Sequence, residues 1–460
     1  MTDYILLVAA VILLCLSLNK LSGKIGVPML LAFILLGMLF GTDGILKIPF
    51  DNFEIAEQVC SISIIFIMFY GGFGTSFNQA RPVAGRAVLL STAGVFLTAL
   101  LVGLFCHYLL HFEFLESMLI GAVISSTDAA SVFSILRSKR LNLKYNTASM
   151  LEVESGSNDP CSYMMTVIIL TVMSGKFSGG ELVWMIFAQL VFGICVGVLV
   201  ALGAAFILKK VQFATDGFDT IFVFCMALVA YALASLLGGN GYLSTYIAGI
   251  ILGNQPLTNK KSLVHFFDGI TGLMQMLIFF LLGLLSFPSQ LPQILPYALA
   301  IAVFLTFVAR PVSVFAILSP FKAPIRQQLL VSWSGLRGAA SIVFAIMATV
   351  SPAYTKNDVF HIVIFIVLFS ISIQGSLLGL VAKKLDMIDD TGNVMKTFSD
   401  YSDEMPVEFI KIAIRKNHPW AGKKIMDILS LPDVLVVLVL RGEERIVPNG
   451  STVLLSGDIV

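Results

Sequence analysis

Residues 151–161 read LEVESGSNDPC. Three carboxylates (Glu152, Glu154, Asp159) and an amide (Asn158) stand between long apolar runs, and Pro160 follows directly. In a water-soluble protein such a stretch is a solvated loop. The rest of the chain denies it that reading. Its 460 residues are 57% hydrophobic and only 12% charged, and mean hydropathy is +0.93. A soluble domain carries about 25% charged residues. Apolar runs near 20 residues recur, the length at which a helix crosses a hydrocarbon core of about 30 Å. The chain is therefore a polytopic membrane protein, and LEVESGSNDPC lies inside one of its spanning helices.

Thirteen spans are expected, over 4–19, 25–41, 55–77, 84–110, 115–136, 148–174, 182–208, 219–238, 241–254, 266–287, 294–319, 326–350 and 358–382. The ninth is short and flanked by glycine. The first starts at Tyr4 without a basic segment ahead of it, so it reads as a retained span rather than a cleaved signal. With the N-terminus outside, the inner loops carry 16 Lys and Arg residues and the outer loops carry three, Lys47, Lys176 and Lys356. Positive residues favour the cytoplasm, which predicts an odd number of spans and a cytoplasmic C-terminus. The six cysteines lie in apolar segments without metal-ligand spacing and read as small buried hydrophobes. GICVG (193–197) has the spacing of a close helix contact, but glycine-rich spans produce it by chance.

After Leu385 the composition turns polar and acidic, and 386–405 reads as a linker. Residues 406–460 alternate β-branched runs with Gly-Pro-Asn turns and one short amphipathic helix near 421–430, a small cytoplasmic α/β domain. It ends on a strand, as if cut short.

An ionisable residue in a spanning helix is expensive to place and is a functional hypothesis by default. At about 1.5 Å of rise per residue, Asp128, Asp159 and Arg337 all fall roughly 17–20 Å into spans five, six and twelve. That is near the midplane, while Arg310 on span eleven lies toward the cytoplasmic side. On span six, Ser155 and Asp159 are i,i+4 neighbours, and so are Glu154 and Asn158, which gives two adjacent polar stripes. Glu152 lies nearer the cytoplasmic mouth and suits a funnel. Pro160 removes one N–H and crowds the carbonyl of Gly156, offering a free oxygen beside Asp159. TDAASV (127–132) echoes RGAASI (337–342). Two such helix-weakening runs in the two halves of a transporter mark interrupted helices at a binding site.

Bland readings stand beside these. Asp128 caps a half-helix, alone or together with ion binding. Arg337 and Glu154 form a buried pair that only holds the fold. Arg310 is open between structural pairing and a charge on the pathway. His107, His111 and His361 read as packing or interfacial residues. No metal cluster, phosphate loop or nucleophile–base arrangement points to an enzyme, and no nucleic-acid partner is expected. The absence of a TVGYG-type run argues against a selective channel.

The motifs resemble those of the cation/proton antiporter superfamily, in its NhaP/NHE-like branch. ESGSNDP (154–160) matches its E-S-x-x-N-D signature, STDA (126–129) resembles its T-D-P motif, GLRGA (335–339) matches G-L-R-G-A, and ARPVSV (309–314) matches R-P-x-S-V. The match runs in order through residues 1–385. It implies an all-α bundle of about 13 helices with inverted repeats and two interrupted helices, assembled as a homodimer in the cell inner membrane. It assigns Asp159 as the cation and proton site, with Ser155 and Thr127 as oxygen contributors and Asp128 beside them. Glu154 is implied to pair with Arg337, and Asn158 to join that network. Two departures stand out: Ala129 replaces the proline after Thr-Asp, and Tyr70, in MFYGGFG (68–74), stands where many members carry an acid.

The C-terminal segment resembles the RCK-C (TrkA-C) regulatory domain through HPWAGKK (418–424), LRGEE (440–444), VPNGST (447–452) and SGD (456–458). Antiporters carrying it resemble potassium/proton exchangers. The domain implies a small regulatory ligand, such as cyclic di-AMP or an adenine nucleotide. The expected activity is exchange of potassium, or alternatively sodium, for protons without a cofactor. A ligand-gated cation channel is the alternative of another class.

Overall fold

The computed structural model describes residues 6, 9–17, 29–138, 141–175, 178–211, 217–257, 260–353, 355–389, 412–414, 418–428, 436–442 and 444–460. The chain divides into two compact units, Met1–Ser402 and Asp403–Val460.

The first unit is helical. Among the described residues, seven helices are long and apolar enough to cross a membrane, and four more are shorter and apolar: Met29–Phe40, Phe114–Val123, Gly241–Gly253 and Ala339–Val350. The polar sixth span is also one continuous helix, Thr147–Met173, with Pro160 inside it. Large apolar side chains such as Phe96, Trp184, Leu199 and Phe206 cover the outside of the bundle, as a lipid-facing surface requires. Parts of the first span and the start of the second lie outside the described residues.

Glycine sets several close approaches. A Cβ on Gly249 would sit 2.2 Å from the Phe69 carbonyl oxygen, and one on Gly197 would sit 2.5 Å from that of Ser244. The 193–197 spacing is thus used, holding the long helix Gly179–Lys210 against the short ninth span. The ninth span is secured by Asn240. Its Oδ1 accepts from Leu243 N, and its Nδ2 donates to the Pro160 carbonyl on span six. Of the cysteines, Cys15, Cys60 and Cys106 are buried, but Cys195 and Cys225 are exposed on the outer surface. For a thiol, a lipid-facing position costs as little as a buried one.

Both expected interruptions are present. Span five is split into Phe114–Val123 and Ala129–Ser138, and span twelve into Ile325–Trp333 and Ala339–Val350. The two breaks touch where Asp128 N donates to the Leu336 carbonyl at 2.8 Å. Three further helices carry one π-helical turn each, at Leu90–Gly94, Leu305–Ala309 and Ser370–Gly375. Such turns admit an extra residue and rotate the helix face beyond them.

Span thirteen ends at Lys384, and the linker expected from residue 386 begins later. Leu143 and Ile388 form a β-bridge. Asp386 binds Lys144 and Arg326, each at 3.0 Å, and Met387 is buried. Lys144 is the first cause holding the Asp386 carboxyl below its ordinary range. Residues 390–411 lie outside the described residues.

In the second unit, Val439–Arg441 pairs antiparallel with Glu444–Ile446, and Gly442, at φ +62°, makes the turn. Ile459 exchanges two hydrogen bonds with Leu440, and Val460 does the same with Ile412. The short helix is Ile425–Ile428. Ile414, Ile425, Val439 and Leu454 form the core. Asp458 is buried beneath Arg441, which binds it through Nε at 2.9 Å and Nη2 at 2.8 Å.

Candidate functional site

The site is built at the two breaks. Where a helix stops in mid-membrane, its last carbonyls and its successor's first N–H groups lose their helical partners. Both kinds of end are answered by charge. At the end of Phe114–Val123, Arg337 Nη1 donates to the carbonyls of Ser125 and Ser126 at 2.8 and 2.6 Å. At the start of Ala129–Ser138, the Asp128 carboxylate accepts from Ser131 N at 3.3 Å and Ser131 Oγ at 2.5 Å. A cation at a helix C-terminus and an anion at an N-terminus both oppose the helix dipole. Gly338 precedes the other half-helix, and a Cβ there would lie 2.0 Å from Asp128 Oδ2. Asp128 therefore sits close to both half-helix N-termini.

Span six lies across this crossing. Ser126 Oγ donates to Asp159 Oδ1. The hydroxyls of Thr127 and Ser155 share a hydrogen bond at 2.9 Å, and Asn158 Nδ2 donates to Thr127 Oγ1 at 2.5 Å. Ser162 Oγ, one turn further, donates to the Ala122 carbonyl at 2.6 Å. The two adjacent stripes read from the sequence have different surroundings. Ser155 and Asp159 face a cavity, whereas Glu154 and Asn158 are fully buried.

One expected pairing is different. Glu154 Oε1 accepts from Arg310 Nη2 at 2.5 Å, with both side chains buried. Arg337, implied as its partner, instead spends Nη1 on the broken helix and its backbone N–H on Ser370 Oγ at 3.0 Å. Arg310, Arg337 and Glu154 still interact electrostatically as one buried cluster. Arg310 directly follows the π-turn Leu305–Ala309, whose extra residue redirects the face on which it emerges. Gly335 makes room for it: a Cβ there would lie 2.8 Å from Arg310 Nε.

Asp159, Ser155, Asp128 and Thr127 border a cavity of about 440 Å³. Its other lining residues include Met68, Tyr70, Gly71 and Gly74 from the end of Phe53–Gly74, and Asp268 and Thr271 from the first half of Lys260–Leu285. All come from one end of the bundle. Glu152 also lines it, as a funnel residue would. Beyond Asp159 the opposite end is packed with rings. Tyr163 lies 4.9 Å from Tyr242 and 5.8 Å from Phe344, centroid to centroid. The cavity is thus lined from one end of the bundle, with a layer of rings beyond Asp159.

Four contributors escaped the sequence reading: Ser126, Ser125, Ser370 and Asp268. Ser126 carried a signal, since it stands in the same helix-breaking run as Thr127. Asp268 carried the general signal of an acid inside a span, but it stands only two residues from the start of the expected span 266–287 and reads there as an end residue. Ser370 carried none, because nothing local distinguishes it from other polar residues in spans.

Crossed half-helices bordering a mid-membrane cavity are how ion-coupled secondary transporters hold a substrate, and this protein is a transporter of that class. The chain belongs to the sodium/hydrogen exchanger family, whose transmembrane region matches residues 8–384, and residues 409–460 match the TrkA-C domain. It is 33% identical over 454 residues to the K(+)/H(+) antiporter NhaP of Alkalimonas amylolytica, covering 98% of this chain and 79% of that one. The K(+)/H(+) antiporter NhaP2 of Shewanella baltica is likewise 33% identical, over 96% of this chain and 77% of its own. Among solved structures, the sodium proton antiporter MjNhaP1 of Methanocaldococcus jannaschii superposes with a TM-score of 0.74 at 26% identity, covering 84% of this chain and 99% of that one.

Proposed function

We propose that this protein exchanges a monovalent cation for protons, with potassium as the cation and sodium as the alternative. The observation that carries the reading is Asp159, a buried carboxylate on the wall of a cavity at the crossing of two broken helices. In lipid, a carboxylate must be neutralised by a proton or by a bound cation. It holds one or the other, so competition for a single group couples the two flows. Ser155 and Thr127 supply hydroxyl oxygens and Asp128 a second carboxylate. Glu154, Asn158, Arg310 and Arg337 keep the site in shape. Asn158 is neutral, so one titrating group moves per cycle and the exchange is electroneutral. Potassium is favoured over sodium because two relatives matched over nearly the whole chain are named potassium/proton antiporters.

In this reading residues 1–385 are the exchanger, embedded in the cell inner membrane as a homodimer with the N-terminus outside and the C-terminus in the cytoplasm. Residues 406–460 are a regulatory domain for a small cytoplasmic ligand, with cyclic di-AMP and adenine nucleotides as the first candidates. The test is proton flux in proteoliposomes on addition of potassium or sodium chloride, with the membrane potential clamped and unclamped. Potassium-driven flux indifferent to potential is expected. Potential-dependent flux would overturn the stoichiometry, sodium preference would overturn the selectivity, and cation leak without proton movement would identify a channel.

A further inference from the structure

The helix Lys260–Leu285 carries a single acid, Asp268. It lines the same cavity as Asp159 but on a different helix. From it, Thr271 and Gln275 follow at helical spacing along the cavity wall. Thr271 is 8% exposed, and its hydroxyl has no hydrogen-bond partner among the described residues. Such a group is costly to leave unmet unless something polar visits it. Asp268 itself is held from the side: Tyr70 OH donates to its Oδ1 at 3.3 Å. The described residues lining the cavity include four carboxylates, Asp128, Glu152, Asp159 and Asp268, and no Lys, Arg or His. Asp128 is engaged in capping and Asp159 accepts from Ser126. A cleft with low-dielectric walls and one sign of charge concentrates the opposite ion.

We propose that Asp268, with Thr271 below it and Tyr70 beside it, is a staging site that receives the monovalent cation on the cavity wall facing Asp159 and passes it to that carboxylate. The site requires the charge of Asp268, whereas the Tyr70 bond only orients it. The inference rests on the exchange reading above. Gly71 and Gly272 line the same cavity, where a Cβ would meet nothing within 4 Å, so the wall leaves room for a partly hydrated ion.

The experiment measures cation-driven proton flux in proteoliposomes of the full chain against cation concentration, for wild type, Asp268→Asn, Asp268→Glu, Thr271→Val and Tyr70→Phe. Asp268→Asn is expected to raise the apparent KM at least about threefold, with the rate at saturating cation preserved. Thr271→Val and Tyr70→Phe, which remove a hydroxyl and the orienting bond, should each raise it less than Asp268→Asn does, and Asp268→Glu should restore it. An Asp268→Asn protein with wild-type KM overturns the inference. So does one that loses maximal rate with KM unchanged, since that is the mark of a merely structural bond between the two helices. Wild-type vesicles without any cation-driven flux would bring down the exchange reading itself.

Discussion

Glu154 and Arg310 make the sharpest energetic prediction. Their charged atoms lie 2.5 Å apart, with the side chains 0% and 2% exposed. At an effective dielectric constant of about 20, that separation corresponds to an attraction of roughly 7 kcal/mol. Desolvation of the two ions consumes several kcal/mol each. The pair as a whole is therefore close to neutral for stability, but either member alone is a buried, uncompensated charge. Arg310→Met should cost about 3–5 kcal/mol. Glu154→Gln should cost a similar amount, because it leaves Arg310 and Arg337 together without an anion. The double substitution should cost no more than either single one, giving a coupling of at least about 3 kcal/mol. The assay is denaturant unfolding of the purified protein in detergent, run as a double-mutant cycle. A parallel cycle pairs Glu154→Gln with Arg337→Met, where less than half that coupling is expected. Larger coupling to Arg337 than to Arg310, or none to Arg310, would refute the assignment.

Gly338→Ala should damage the crossing itself. Its Cβ would lie 2.0 Å from Asp128 Oδ2 and 2.6 Å from Asp128 Cβ, so the cap of the neighbouring half-helix must move. A loss of about 1–3 kcal/mol, with a sharp fall in exchange, is expected in thermal-shift and flux assays, whereas Gly85→Ala, where a Cβ meets nothing within 4 Å, should be silent. In the C-terminal unit, hydrogen bonds from Arg441 are the first cause holding the Asp458 carboxyl below its ordinary range. A lowered carboxylate value stabilises the fold above the unfolded carboxylate range, near pH 4, and that stabilisation is lost as pH falls through the folded value. Protection factors for hydrogen exchange of residues 439–460 in the full chain, corrected for the intrinsic pH dependence of exchange, should accordingly be constant from neutrality to about pH 4 and fall below it. Arg441→Met should weaken protection at neutral pH and flatten that acid dependence.

The parts of the site that lay in the sequence were those with a local cause. TDAASV and RGAASI are small and polar in the middle of apolar spans, and a helix weakens there whatever its neighbours are. Ser155 and Asp159 share a face because a helix repeats every 3.6 residues. The partner of Glu154 had no such cause. Arg310 and Arg337 lie within a few residues of the same depth, and the choice between them depends on the π-turn at Leu305–Ala309, which no periodicity announces. Asp268 was visible as an acid in a span, but its place on the cavity wall was not, since only the packing of Lys260–Leu285 against Phe53–Gly74 brings it there. The linker was misjudged at its start because DMIDD is polar in composition, yet Met387 is buried and Asp386 has two cationic partners on the helical unit.

The central claim is that one carboxylate carries both ions. It is tested most directly by potassium-driven proton flux in proteoliposomes of Asp159→Asn, with size-exclusion and thermal unfolding run on the same preparation. The amide has nearly the size of the acid and keeps an oxygen for Ser126, so the protein should elute and unfold as wild type does. Flux should fall to the level of empty vesicles. Cation-dependent proton flux at more than about a tenth of the wild-type rate in a folded Asp159→Asn protein would contradict the account, because such transport cannot pass through this residue.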